Sequence, residues 1–113
     1  MRQLYKRIYI AGKQLPKGDK LGIHKEIENK TITVFSLVIS AVYANKNKKV
    51  EILENLRVEL EVLKQLIRAE YEIHILPEKS YILISEKIVE ASKMTNGWLK
   101  YLTTQKPAEA GLF

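Results

Sequence analysis

The chain of 113 residues contains no cysteine. That excludes disulfide staples, thiolate metal centres, iron–sulfur clusters and thiol nucleophiles, and it fits a reducing compartment. Glycine is scattered, at positions 12, 18, 22, 97 and 111, so no glycine-rich loop is available to cradle a phosphate. Aspartate occurs once, at Asp19, and there is no Glu-x-x-His pair of the kind that builds di-metal sites inside helical bundles. Serine nucleophile motifs are missing too. The longest uncharged stretch, Thr31 to Asn45, is too short to cross a bilayer and is polar at Thr31, Thr33, Ser36 and Ser40. The opening residues, MRQLYKRIYIAGKQ, interrupt their apolar positions with charge too often for a signal peptide or a spanning helix. The expectation is a cytoplasmic, non-enzymatic protein with no cofactor, metal, membrane or small-molecule substrate.

What the chain does contain is positive charge, with nineteen Lys and Arg against thirteen Asp and Glu. The surplus is segregated. Arg2, Lys6, Arg7, Lys13, Lys17 and Lys20 share the first 20 residues with Asp19 alone, and Lys46, Lys48 and Lys49 form a second acid-free group. Between Val50 and Glu72 the balance reverses, to six Glu against the three cations Arg57, Lys64 and Arg68. Such clustering suits either a polyanionic partner or a solvated surface that maintains solubility.

The strongest local pattern runs from Lys49 to Ile75. Leu53, Leu56, Leu60, Leu63 and Ile67 recur at steps of three and four, the period of one helical face, and Val50 to Ile75 is free of Gly and Pro. Before it, Arg2 to Gln14 places Leu4, Ile8 and Ala11 on one side of a short helix, with Tyr5 and Tyr9 beside them. Leu15-Pro16-Lys17-Gly18-Asp19 breaks that helix, and Asp19 is placed to cap the next. That next helix is expected over about Lys20 to Ala44, burying Ile23, Ile27, Val34, Leu37, Val38 and Ala41. Its β-branched content also suits a strand, but no partner strand exists elsewhere. Asn45 to Lys48 reads as a polar turn. The final helix follows Pro77 and Glu78, carries Tyr81, Ile84, Ile88, Ala91, Thr95, Trp98 and Leu102 on one face, and reaches about Thr103.

Connections of about four residues make these helices antiparallel neighbours. The predicted fold is all-α, an up-down-up-down four-helix bundle over residues 1–104 with a shorter first helix, followed by a flexible tail over 105–113 in which Leu112 and Phe113 are free to dock.

Candidate chemistry is sparse. His24 and Glu28 are one turn apart, but two ligands do not make a metal site, and His24 and His74 are expected to be ordinary surface or partly buried residues. Tyr5, Tyr9, Tyr81 and Tyr101 suit packing or subunit contact, and Gly97 beside Trp98 suits either close packing or a weak helix end. Ile32, Phe35, Ile39, Val42 and Tyr43 lie off the core stripe of the second helix. Left exposed, they form an apolar patch that predicts self-association.

Leu15-Pro16-Lys17 before a helix, Ala44-Asn45 at a turn, Leu63-Lys64-Gln65-Leu66-Ile67-Arg68 and Asn96-Gly97-Trp98-Leu99 together give a resemblance. From Leu15 to Leu102 the chain resembles the accessory variability determinant (Avd) proteins of diversity-generating retroelements, within the wider bundle family encoded in ribosomal RNA intervening sequences. The resemblance implies a barrel-like homopentamer without catalytic activity. It also implies binding to the element's reverse transcriptase and to template RNA or cDNA. Lys64 and Arg68 match the basic pair that the family carries on its third helix, and Trp98 matches a packing tryptophan. The other reading within the wider family is a protein-interaction module with no nucleic-acid role. Spacing alone also allows Lys64 and Arg68 to be ordinary ion-pair partners of Glu61 and Glu72.

Overall fold

Helices form wherever the apolar stripes run. The computed structural model describes residues 2–110, with side chains described through Thr104. It contains α1 (Arg2–Lys13), α2 (Lys17–Leu21), α3 (Ile23–Tyr43), α4 (Lys46–Glu72) and α5 (Glu78–Ala110), and no strand occurs among the described residues. Four helices make the bundle, and α2 is a single extra turn in the first connection. Neighbouring pairs are α1 with α3, α3 with α4, α4 with α5, and α5 with α1, the antiparallel square expected from the short links.

All five members of the Leu53–Ile67 stripe are buried, as are Leu4, Ile8 and Ala11 of α1. One half of the core joins those α1 residues to Ile27, Leu63, Ile67, Leu76, Ile84 and Ile88. The other half, around Val34, Ala41, Leu53, Leu56, Leu60, Leu99 and Leu102, has no contribution from α1. The reason is length: 12 residues of α1 span about 18 Å, against about 40 Å for the 27 residues of α4. Beyond the start of α1 a groove remains, lined by Leu4, Val38, Leu56, Ala91, Met94 and Trp98.

Helix α3 is continuous through its β-branched residues. Thr31 is buried there, and its hydroxyl donates to the carbonyl of Ile27 at 2.8 Å, which satisfies it inside the helix. Thr95 does the same on α5, donating to Ala91 at 2.8 Å.

Several boundaries differ from expectation. Asp19 does not cap α3. It lies in the first turn of α2, and α3 starts after Gly22 with no side-chain cap. At Gly22 the chain turns so tightly that an added Cβ would sit 2.9 Å from the carbonyl oxygen of Gly18. The link from α3 to α4 is only Ala44 and Asn45, because the Asn45 side chain accepts from the Lys48 amide at 3.0 Å and starts the helix at Lys46. Helix α4 ends at Glu72, short of Ile75. There His74 takes the left-handed conformation, φ 66°, while its amide donates to Tyr71 and the Ile75 amide donates to Glu70. This is a Schellman termination with histidine in the usual glycine position. Helix α5 continues past Thr103 to Ala110, through Ala108, Glu109 and Ala110, which favour helix. The proposed docking of Leu112 and Phe113 lies outside the described residues.

Gly97 is exposed, and a Cβ there would meet nothing within 4 Å, so close packing does not account for it. Trp98 is half-buried against the second half of the core. Leu99, absent from the expected stripe, is buried beside it.

Candidate nucleic-acid interface

Helix α1 contains no acid. Arg2, Lys6, Tyr9 and Lys13 recur at steps of four, three and four, and all are exposed on the side opposite buried Leu4, Ile8 and Ala11. The Tyr5 and Tyr9 rings stack with centroids 6.2 Å apart, and the Lys13 ammonium lies 5.3 Å from the Tyr9 centroid. Arg7 is exposed on the flank toward α5, and Lys17 and Lys20 follow on α2. Among the described residues, none of the cations Arg2, Lys6, Arg7, Lys13, Lys17 and Lys20 has an ion-pair partner.

The α4 cations are differently placed. Lys64 Nζ lies 3.8 Å from Glu61, and Arg68 Nε donates to Glu72 at 3.2 Å, both on the exposed surface. These are the same-helix pairs that spacing allows, and exposed pairs of this kind contribute little. Lys64 also lines a shallow groove between α4 and α5 with Arg57, Lys93, Ser92 and Asn96. At the other end of the bundle, Lys46, Lys48 and Lys49 occupy the first turn of α4, where the helix dipole disfavours positive charge. Lys49 partly relieves this by donating to the Val42 carbonyl at 3.3 Å, and Lys48 approaches Glu51 at 3.8 Å. The fold therefore does not gather the sequence-selected cations into one site. It distributes them over α1–α2, the first turn of α4 and the middle of α4.

What seats the basic helix α1 was not read from the sequence. His24 is fully buried, not a surface residue: Nε2 donates to the Ile8 carbonyl of α1 at 2.7 Å, and Nδ1 lies 2.8 Å from Glu70 Oε2 of α4. Glu28 Oε2 is 4.0 Å away. Gly12 makes room for the ring, since a Cβ there would fall 2.6 Å from His24 Cδ2. Burial pushes the His24 pKa down, but the hydrogen bonds to Glu70 and Ile8 and the charges of Glu70 and Glu28 outweigh it, and the net shift is upward. The second Glu70 oxygen, Oε1, is buried with no partner among the described residues. Compensation for burying Glu70 therefore rests on His24. A signal existed: the α4 stripe 53-56-60-63-67 projects onto position 70, and the α3 stripe projects back onto 24.

Ile32, Ile39, Val42 and Tyr43 are exposed and Phe35 is half-buried, forming one stripe along α3. No group of three or more metal-ligating side chains occurs among the described residues, and no described helix is long and apolar enough to cross a membrane.

Fold and surface together define a small antiparallel helical bundle of basic character. A family model described as bAvd-like matches residues 1–102, and the chain belongs to that family. This agrees with the Avd resemblance. No curated protein and no solved structure matches the chain.

Proposed function

We propose that the protein is a non-catalytic, cytoplasmic accessory subunit of a diversity-generating retroelement. In this reading it binds the element's reverse transcriptase and its template RNA or cDNA through basic surfaces, and supports mutagenic reverse transcription. The observation that carries the nucleic-acid half is α1, an acid-free helix whose exposed cations have no ion-pair partner among the described residues. Cations left unneutralised by the fold are available to displace counterions from phosphates. Lys46, Lys48 and Lys49 in the first turn of α4 add a second basic cluster, in which Lys48 approaches Glu51 and Lys49 donates to the Val42 carbonyl.

Lys64 and Arg68 are assigned to the contact with reverse transcriptase or nucleic acid by family likeness, with Arg57 and Lys93 beside Lys64 in the groove between α4 and α5. The exposed α3 stripe is the self-association surface of a homo-oligomer, a pentamer by the same likeness. The pairing of Lys64 with Glu61 and of Arg68 with Glu72 favours a second reading, an interaction module of the intervening-sequence family whose charge serves solubility.

Replacing Lys64 and Arg68 by Glu in the full chain separates the two. The expected result is loss of reverse transcriptase or nucleic-acid capture with helicity unchanged by circular dichroism. Undiminished capture of both overturns the assignment of this pair.

A further inference from the structure

We infer that the outer face of α1 is a stacking platform for a single nucleic-acid strand, with Tyr5 and Tyr9 meeting unpaired bases while Lys6 and Lys13 meet the phosphates. The inference rests on the nucleic-acid reading above and adds which form of nucleic acid this helix selects.

Charge alone does not distinguish strands from duplexes, because both present phosphates. The tyrosines do. Tyr9 is 46% exposed, although an aromatic ring on a helix with its own buried stripe has no need to face water. Its ring stacks on that of Tyr5, with centroids 6.2 Å apart and planes at 23°, and the Lys13 ammonium lies 5.3 Å from its centroid, so a base joins a stack already begun as Lys13 turns from the ring to a phosphate. Alternating aromatic rings and cations along one track is the arrangement by which single strands are held: each base offers a π-face to a ring, while the backbone follows the positive groups. In a duplex those faces are already stacked within the helix and only the phosphates remain. From Arg2 to Lys13 the track is about 16 Å long, enough for a few nucleotides. Neither Tyr5 nor Tyr9 belongs to the buried core, so changing them leaves the bundle intact.

The test uses the full chain with fluorescently labelled oligo(U), oligo(dT) and a duplex of matched length, read by anisotropy at low salt. Replacing both Tyr5 and Tyr9 by Leu is expected to weaken single-strand binding by about fivefold or more while duplex binding stays unchanged. Phe at both positions should retain single-strand binding, since stacking needs the ring and not the hydroxyl. Loss on oligo(U), oligo(dT) or both supports the platform and identifies the sugar it accepts. Equal loss on strand and duplex overturns it, and so does unchanged binding. Lowered sedimentation mass with unchanged strand binding also overturns it, because the rings then belong to a subunit contact. Wild-type protein that binds none of the three probes removes the underlying nucleic-acid reading as well.

Discussion

His24 Nδ1 lies 2.8 Å from Glu70 Oε2, and both side chains are sealed from solvent. The same imidazole donates from Nε2 to the Ile8 carbonyl, so one residue of α3 holds α1 and α4 together. A carbonyl only accepts, which fixes a proton on Nε2. The Nδ1 contact with Glu70 and the nearby charge of Glu28 both favour the charged ring.

Stability should therefore depend on the charge of His24. Its folded pKa is raised above the ordinary value of about 6.5. The contribution is then fully present below about pH 6.5 and is lost as pH rises through the folded value. Urea midpoints followed by circular dichroism should fall over this interval in the wild type, and the slope should flatten in Glu70→Gln. Removing the ring with His24→Ala leaves Glu70 buried and unpaired, at an expected cost of about 3–5 kcal/mol.

Two glycine substitutions should have opposite signs. Gly97→Ala meets open space and gains helix propensity, so it should stabilise by up to ~1 kcal/mol. Gly12→Ala has the same propensity gain but drives a methyl into the His24 ring, and should destabilise by about 1–3 kcal/mol. Thermal melts of the pair, with matched signs, would remove the steric role assigned to Gly12.

His74 holds a backbone conformation that costs an L-residue about 1 kcal/mol or more. His74→Gly should raise stability by up to that amount, less the entropy that glycine adds to the unfolded chain. A drop in the denaturation midpoint would mean that the imidazole makes a compensating contact.

Much of the fold was legible because it is encoded locally. The steps of three and four in α4, the Leu4-Ile8-Ala11 face of α1 and the Tyr81-to-Leu102 pattern of α5 all point inward in the structure. Asn45 has the surroundings of a loop because its neighbours are lysines, which say little about helix starts, whereas its own side chain is the cap. The His24–Glu70 contact was hidden by a different feature. Its partners lie 46 residues apart, and a charged residue on an apolar stripe reads as the end of that stripe. For the candidate surfaces, the sequence identified which cations cluster along the chain. It did not show that those on α1 stay unpaired while Lys64 and Arg68 face their own helix's glutamates.

The α3 stripe should drive self-association. Replacing Ile39, 47% exposed, with Lys places charge at its centre. Sedimentation velocity should show the wild type as an oligomer at micromolar concentration and Ile39→Lys shifted toward monomer, with helicity retained. A monomeric wild type would remove the interface role from Ile32, Phe35, Ile39, Val42 and Tyr43.

Nucleic-acid binding by the unpaired cations of α1 is tested most directly by its salt dependence. Affinity for a single strand, measured over a series of salt concentrations, should fall linearly on logarithmic axes, with a slope of roughly −0.7 for each phosphate neutralised. Replacing Lys6 and Lys13 with Gln should make that slope shallower by about one unit or more. An unaltered slope, or no binding by folded wild-type protein at low salt, would contradict it.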